Sequence, residues 1–169
     1  EIYDKLGEKE YAKNVYQRGL TVDTLDKELL QRLEKLYPAL SEQRPKIIEQ
    51  ARRLQQYQAK VEKFNKMSPY YQQRLRGDVE AYVKDFPDDT NGPILLARVL
   101  SLSGNDIKAK EVLEEVLSKH PDDLWANLAL STLLYKAEDL KQAKKSLQDA
   151  LFYYPGNEVA TARLAVISR

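Results

Sequence analysis

The stretch that decides the fold is residues 88–155, DDTNGPILLARVLSLSGNDIKAKEVLEEVLSKHPDDLWANLALSTLLYKAEDLKQAKKSLQDALFYYP. Pro121 and Pro155 lie within it and Pro87 directly precedes it, so that successive prolines are separated by 34 residues. Because proline lacks the amide N–H that would continue a helix, each of the three marks the end of one. The equal spacing predicts a structural repeat of this length.

The apolar residues of the two 34-residue units match pair by pair. The pairs are Leu96 with Leu130, Leu100 with Leu134, Ala109 with Ala143, Leu113 with Leu147, and Val116 with Ala150. A short polar stretch, residues 103–106 in one unit and 137–139 in the next, interrupts the apolar pattern. Each unit is therefore predicted to be two amphipathic helices joined by a tight turn.

This pattern resembles the tetratricopeptide repeat family, whose 34-residue unit has two helices and a terminal proline. Gly104 in the turn and Ala97 in the first helix also fit the family. The resemblance is clear over about residues 88–155, and it implies an all-α, right-handed solenoid of stacked helical hairpins. Residues 156–169 look like a capping or truncated helix. Residues 7–20 look like the second helix of an earlier, degenerate repeat.

Residues 1–87 are predicted to be helical but irregular, and residues 88–169 to hold the repeats, 88–121 and 122–155, with the last helix. Leucines at 25, 29, 33 and 36 share one helical face that ends at Pro38. A long helix is predicted at about 43–65, and a further one opens at Ser68 and runs towards Pro87. The stripe of the long helix has the 3-4 spacing of a short coiled-coil seam: Ile47, Ala51, Leu54, Gln58 and Val61.

The resemblance also implies which residues line the concave face, because the family uses the second, fifth, ninth and twelfth positions of each repeat. These are Asn91, Ile94, Arg98 and Ser101 in one copy, Trp125, Leu128, Thr132 and Tyr135 in the next, and Val159, Ala162 and Val166 in the truncated copy. Trp, Tyr and Arg are frequent anchors of interfaces. We expect a groove for a peptide or helix with apolar side chains. Alternatively, Trp125 and Tyr135 pack against a neighbouring hairpin.

Residues 44–76 are locally basic, with nine Lys and Arg against two Glu. The cations that define this patch are Arg52, Arg53, Lys60, Lys63, Arg74 and Arg76. Such a patch with interleaved tyrosines is typical of a surface for an acidic protein, a phosphate-bearing ligand or anionic lipid. We favour the simpler interpretation of a solvated helix face. We expect no nucleic-acid partner, because no known motif accompanies the charge, and no membrane contact by this part of the protein.

The composition argues against most catalytic chemistries. The chain of 169 residues has no cysteine and one histidine, and its 27 basic and 26 acidic residues give a net charge of +1. Disulfide and thiol chemistry are excluded, and a multi-histidine metal site is not supported. His120 lies at a predicted helix C-terminus, where a capping role explains it. No phosphate-binding glycine motif occurs. We expect no catalytic residues, no metal and no cofactor.

The sequence therefore predicts a non-enzymatic protein–protein interaction module, a scaffold or adaptor for a protein or peptide ligand, within a larger protein. Two alternatives stay open. The coiled-coil-like seam favours a structural spacer or self-association element. The absence of cysteine, the ends of the chain and its lysine and glutamine usage favour part of a bacterial envelope export or assembly protein. The sequence does not distinguish a cytoplasmic from a periplasmic location.

Overall fold

The computed structural model describes residues 39–168 together with Gln31 and Lys35. The continuous part, 39–168, contains seven α-helices and no strand, which confirms the all-α prediction. The helices are α1 Ala39–Val61, α2 Pro69–Asp85, α3 Asn91–Leu102, α4 Asp106–Lys119, α5 Leu124–Lys136, α6 Leu140–Tyr153 and α7 Glu158–Ile167, with a short 3-10 helix at Phe64–Lys66. The predicted helices at 7–20 and before Pro38 lie outside the described residues.

The chain divides into two compact units, Glu1–Ala59 and Lys60–Arg169. In the described part of the first unit, α1 already begins at Ala39 and carries Pro45 in its interior. Ala51 and Leu54 of its predicted seam are buried, whereas Gln58 is exposed. The second unit holds α2 to α7 and is the part of the protein in which the repeats stack.

The repeats are packed helical hairpins. Within the second unit, α3 packs on α4 and α5 packs on α6, and α4 in turn contacts α5 while α6 contacts α7. Each hairpin thus buries its apolar surface against the next one, as expected for a solenoid stabilised by neighbouring repeats. This arrangement confirms the predicted tetratricopeptide-like solenoid. The helix α2 extends the stack by packing against α3.

The turns within the hairpins explain the polar breaks in the sequence. Gly104 and Glu138 occupy equivalent places in the two turns, and both have positive φ, 79° and 60°. The amide of the following residue reaches back into the first helix, from Asn105 to Leu100 and from Asp139 to Leu134, each at 2.9 Å. This bonding pattern ends a helix and satisfies carbonyls that would otherwise lack partners.

Small residues let the helices approach closely in the core. Ala109 and Ala143, at the start of the second helices, are fully buried, with 1 % and 0 % exposure. Gly92 has the same role at the start of α3, because a Cβ there would lie 3.0 Å from the ring of Tyr82. The ring of Tyr82 is itself fully buried. These contacts fix how α2, α3 and the later helices lie against one another.

Candidate functional site

Asp89, Asp123 and Asn157 occupy equivalent places before the first helices of the repeats, at intervals of 34 residues. Asp123 and Asn157 are N-caps. The N-cap of α3 is instead Thr90, and Asp89 accepts the amide N–H of Asn91 at 3.1 Å. The Asp123 side chain accepts the amide N–H of Ala126 at 3.0 Å and caps α5, and Asn157 caps α7 in the same way. The second carboxylate oxygen of Asp123 accepts the hydroxyl of Thr90 at 2.7 Å. One carboxylate therefore fixes the start of α5 and ties it to the start of the preceding repeat.

We call the predicted partner-contacting positions on α3, α5 and α7 the first-helix face. On α5, Trp125, Thr132 and Tyr135 are separated by seven and three residues, a spacing that places them on one side of the helix. Trp125 is 52 % exposed and Tyr135 is 50 % exposed. Each of the two aromatic side chains therefore leaves about half of its surface open to solvent and buries the rest.

Leu128 lies between Trp125 and Tyr135 in the sequence, but its side chain does not reach the surface. It is 3 % exposed and packs in a core cluster with Leu147, Ala150 and Ala160. Its contribution to the first-helix face is its backbone carbonyl, which accepts the hydroxyl of Thr132 at 2.9 Å. A substitution at Leu128 would therefore test the core rather than a binding surface.

The helix α7 extends the face with apolar side chains. Val159 and Val166 are seven residues apart and 46 % and 58 % exposed. Arg163, on the same helix, donates from Nη1 to the carbonyl of Leu128 at 3.0 Å and to the hydroxyl of Thr132 at 2.9 Å. This arginine ties α7 to α5. Arg163 is not one of the partner-contacting positions predicted from the repeat, although it lies on the same helix as Val159 and Val166.

On α3, the predicted residues already have partners within the protein. Asn91 is half-buried and donates to the Asp89 side chain at 2.8 Å, and Ile94 packs against the core. Arg98 is exposed and forms an ion pair with Glu62 at 2.9 Å. Exposed aromatic side chains thus lie on α5 and exposed aliphatic ones on α7, the two helices being joined by Arg163, while α3 contributes a paired cation.

A second paired cation lies at the far end of α5. Lys136 contacts Asp106 of α4 at 2.9 Å, and the hydroxyl of Ser101 donates to the same carboxylate at 2.6 Å. The hydrogen bond from Ser101 and the contact with Lys136 lower the pKa of Asp106 below its ordinary value of 3.8. The carboxylate therefore stays ionised at neutral pH and balances the charge of Lys136.

The family model for the tetratricopeptide repeat matches residues 107–166. The matched segment contains the exposed residues of the face on α5 and α7, among them Trp125, Tyr135, Val159 and Val166, but not Arg98 of α3. Over these residues, about a third of the chain, the protein is similar to the tetratricopeptide repeat family. A search of curated proteins finds no match to the chain. Tetratricopeptide segments are in general protein–protein interaction modules on a non-enzymatic scaffold.

The tetratricopeptide segment has a second surface feature, a groove of about 610 Å³ among α4, α5 and α6. Leu117, Leu130 and Leu134 line its floor, and Phe152 and Tyr153 lie at its rim. Phe152 is 79 % exposed and its ring meets that of Tyr153 edge to face at 5.0 Å. These rings give an aromatic pair that does not belong to the first-helix face.

At least three of the six cations that define the predicted basic patch lie near an acidic side chain. Arg52 contacts Glu49 at 2.8 Å, and Arg76 contacts Glu80 at 2.8 Å. Lys60 lies 4.0 Å from Asp78. Lys63 and Arg74 are exposed, and Arg53 is half-buried. Arg52 and Arg53 lie in the first unit, and the other four cations lie in the second.

Two further observations concern metal sites and membrane-crossing helices. Among the residues that the structure describes, no group of three or more acidic or histidine side chains is placed to hold a metal ion. In the same part of the chain, none of the helices combines the length and the apolar character needed to cross a membrane.

Proposed function

We propose that the first-helix face binds a protein segment that presents apolar side chains. The observation that carries this proposal is the pair Trp125 and Tyr135, each about half exposed on one side of α5. Val159 and Val166 on α7 supply aliphatic surface beside them, and Arg163 holds the two helices together. Contiguous apolar groups left open to water mark an interaction surface.

The charges around the face favour an apolar rather than an acidic ligand. Arg98 is paired with Glu62, and Lys136 with Asp106, so the cations at the two edges are already balanced. The centre of the face offers one indole, one phenol and two valines. Aromatic side chains of this kind are strong anchors because they bury a large area and still donate a hydrogen bond at their polar end.

In the direct test, the whole chain is used as the bait to select binding peptides from a displayed random library. The selected peptides are then titrated against a Trp125→Ala/Tyr135→Ala variant. The matched control is Phe152→Ala/Tyr153→Ala, which removes another exposed aromatic pair, 79 % and 43 % exposed, from the other surface. We expect the first variant to lose at least about tenfold in affinity, since hot-spot truncations reach 2 kcal/mol or more. We expect the control to bind as the original chain does.

Each of the four side chains is also partly buried, so both variants should lose some stability while remaining folded. The helical signal and the unfolding midpoint of both variants are measured, and binding is compared under conditions in which both are folded. Equal binding by the two variants would contradict the proposal. Loss of binding only in the Phe152→Ala/Tyr153→Ala variant would move the site to the groove among α4, α5 and α6.

A further inference from the structure

The second unit contains a run of fifteen residues, 63–77, with four basic residues and no acidic one. We call this run the acid-free turn. It begins at Lys63, passes through the 3-10 helix Phe64–Lys66, and continues into the first half of α2. Its cations are Lys63, Lys66, Arg74 and Arg76. Since the chain as a whole is nearly neutral, this is a local concentration of positive charge.

The acid-free turn has a defined shape. The side-chain amide of Gln72 donates to the carbonyl oxygens of Phe64, at 3.1 Å, and of Met67, at 3.3 Å. Phe64 is 2 % exposed and anchors the 3-10 helix in the core. Lys63 is the N-cap of the 3-10 helix and Lys66 is its last residue, so both lysines flank the buried Phe64 within four residues. The first turn of α2 is thereby held beside these two lysines.

Two exposed aromatic side chains lie on the same turn. Tyr70 and Tyr71 are 66 % and 57 % exposed, and their rings meet edge to face at 5.3 Å. Tyr70 and Arg74 are four residues apart and share one face of α2. A tyrosine combines an apolar ring with a hydroxyl that remains in water, which suits it to the headgroup level of a lipid bilayer.

The acidic groups that flank the acid-free turn in the sequence lie near other cations, and Asp78, which directly follows the turn, is 4.0 Å from Lys60. Glu62 precedes the turn, but it is engaged by Arg98 at 2.9 Å. Glu80 balances Arg76 alone. The first turn of α2 contains no acidic residue, so the positive end of its helix dipole adds to the charge of Lys63, Lys66 and Arg74. One short segment therefore presents three exposed cations and two exposed aromatic rings to the solvent.

We propose that the acid-free turn attaches the protein to an anionic lipid surface. Its cations are long, solvated side chains rather than buried donors with fixed geometry, which suits a field of many headgroups better than one phosphate or one peptide. Surface attachment needs no membrane-crossing helix. It also differs from the solvated helix face that the sequence favours, and the reason is the exposed tyrosine pair, which the charge pattern alone does not reveal.

The test is sedimentation of the whole chain with vesicles of phosphatidylcholine, with and without phosphatidylserine. We expect binding only to the phosphatidylserine vesicles, with a decrease as salt rises. Lys63→Glu, Lys66→Glu and Arg74→Glu together should weaken it by about 100-fold or more, since each cation at such a surface contributes roughly fivefold. The matched control changes three exposed lysines of the tetratricopeptide segment, Lys108→Glu, Lys141→Glu and Lys145→Glu.

The Tyr70→Ser/Tyr71→Ser variant leaves the charge unchanged and should weaken binding severalfold. The helical signal of every variant is measured to show that it folds. Failure of the original chain to sediment with phosphatidylserine vesicles would overturn the proposal, as would equal loss in both triple variants. Binding of soluble polyglutamate in place of vesicles, with the same sensitivity to the turn variants, would assign the turn to an acidic protein instead. None of these outcomes depends on the first-helix face.

Discussion

Gly104 and Glu138 adopt the same left-handed backbone conformation at the same position of successive repeats, with φ of 79° and 60°. Glycine adopts this conformation freely, whereas a residue with a Cβ is strained by about 1 kcal/mol or more. The turn between α5 and α6 is therefore made with an unfavourable residue. The first prediction concerns this strain.

The substitution Glu138→Gly should stabilise the protein by about 1 kcal/mol, because it removes the strain and leaves the hydrogen bond from Asp139 to Leu134 in place. The measurement is the urea unfolding midpoint. The reciprocal change Gly104→Ala should be destabilising by a similar amount, since a Cβ at that site meets no atom within 4 Å and only the backbone is strained. A lower midpoint for Glu138→Gly would show that the glutamate side chain outweighs the strain.

A second prediction concerns the contact between α7 and α5. Arg163→Met keeps the aliphatic stem but removes the hydrogen bonds to the carbonyl of Leu128 and the hydroxyl of Thr132. We expect a loss of about 1 kcal/mol, less than for a buried charged hydrogen bond, because Arg163 is exposed. A double-mutant cycle with Thr132→Val isolates the pair. Strictly additive effects of the two substitutions would mean that the contact contributes nothing to stability.

The third prediction concerns Asp123, which is 7 % exposed and serves two repeats at once. Asp123→Ala removes the cap of α5 and leaves the hydroxyl of Thr90 without its acceptor. We expect a loss of about 2 kcal/mol, and about 1 kcal/mol for Asn157→Ala, which removes a cap alone. Chemical unfolding of both variants compares them. Equal losses would show that the bond from Thr90 adds no stability.

The fourth prediction is a pH dependence at Asp106. Its pKa is depressed by the hydrogen bond from Ser101 and by Lys136, so the folded state favours the ionised carboxylate. The resulting stability is present above the unfolded pKa and is lost as the pH falls through the lower folded pKa. The urea midpoints of the original chain and of Asp106→Asn should differ at neutral pH and converge in acid, at a pH below the ordinary carboxyl pKa of 3.8. A constant difference down to that pH would contradict this assignment.

The repeat architecture follows from the sequence to a large extent. The matched pairs Ala109 with Ala143 and Leu113 with Leu147 are buried as the pattern requires. The predicted polar breaks coincide with the observed turns, because glycine and capping residues act locally and leave a signal in the sequence. Local chemistry of this kind repeats with the period of the fold, so that comparing one repeat with the next reveals it.

The details of the candidate site are less readable from the sequence. Leu128 occupies a repeat position that the family places on the concave face, yet its side chain is buried, because α5 is covered by helices on several sides. The contacts of Arg163 with Thr132 and of Arg98 with Glu62 join residues more than thirty positions apart. No periodicity marks such pairs, since each depends on how neighbouring helices are packed.

The central claim is that a partner covers the first-helix face, and Trp125 offers a direct test because it is the only tryptophan of the chain. The measurement is its fluorescence, with acrylamide quenching, as a library-selected peptide is added to saturation. If the peptide covers the half-exposed indole, the emission should shift to shorter wavelength and the quenching constant should fall. An unchanged spectrum and unchanged quenching at a peptide concentration that saturates binding by calorimetry would contradict the claim.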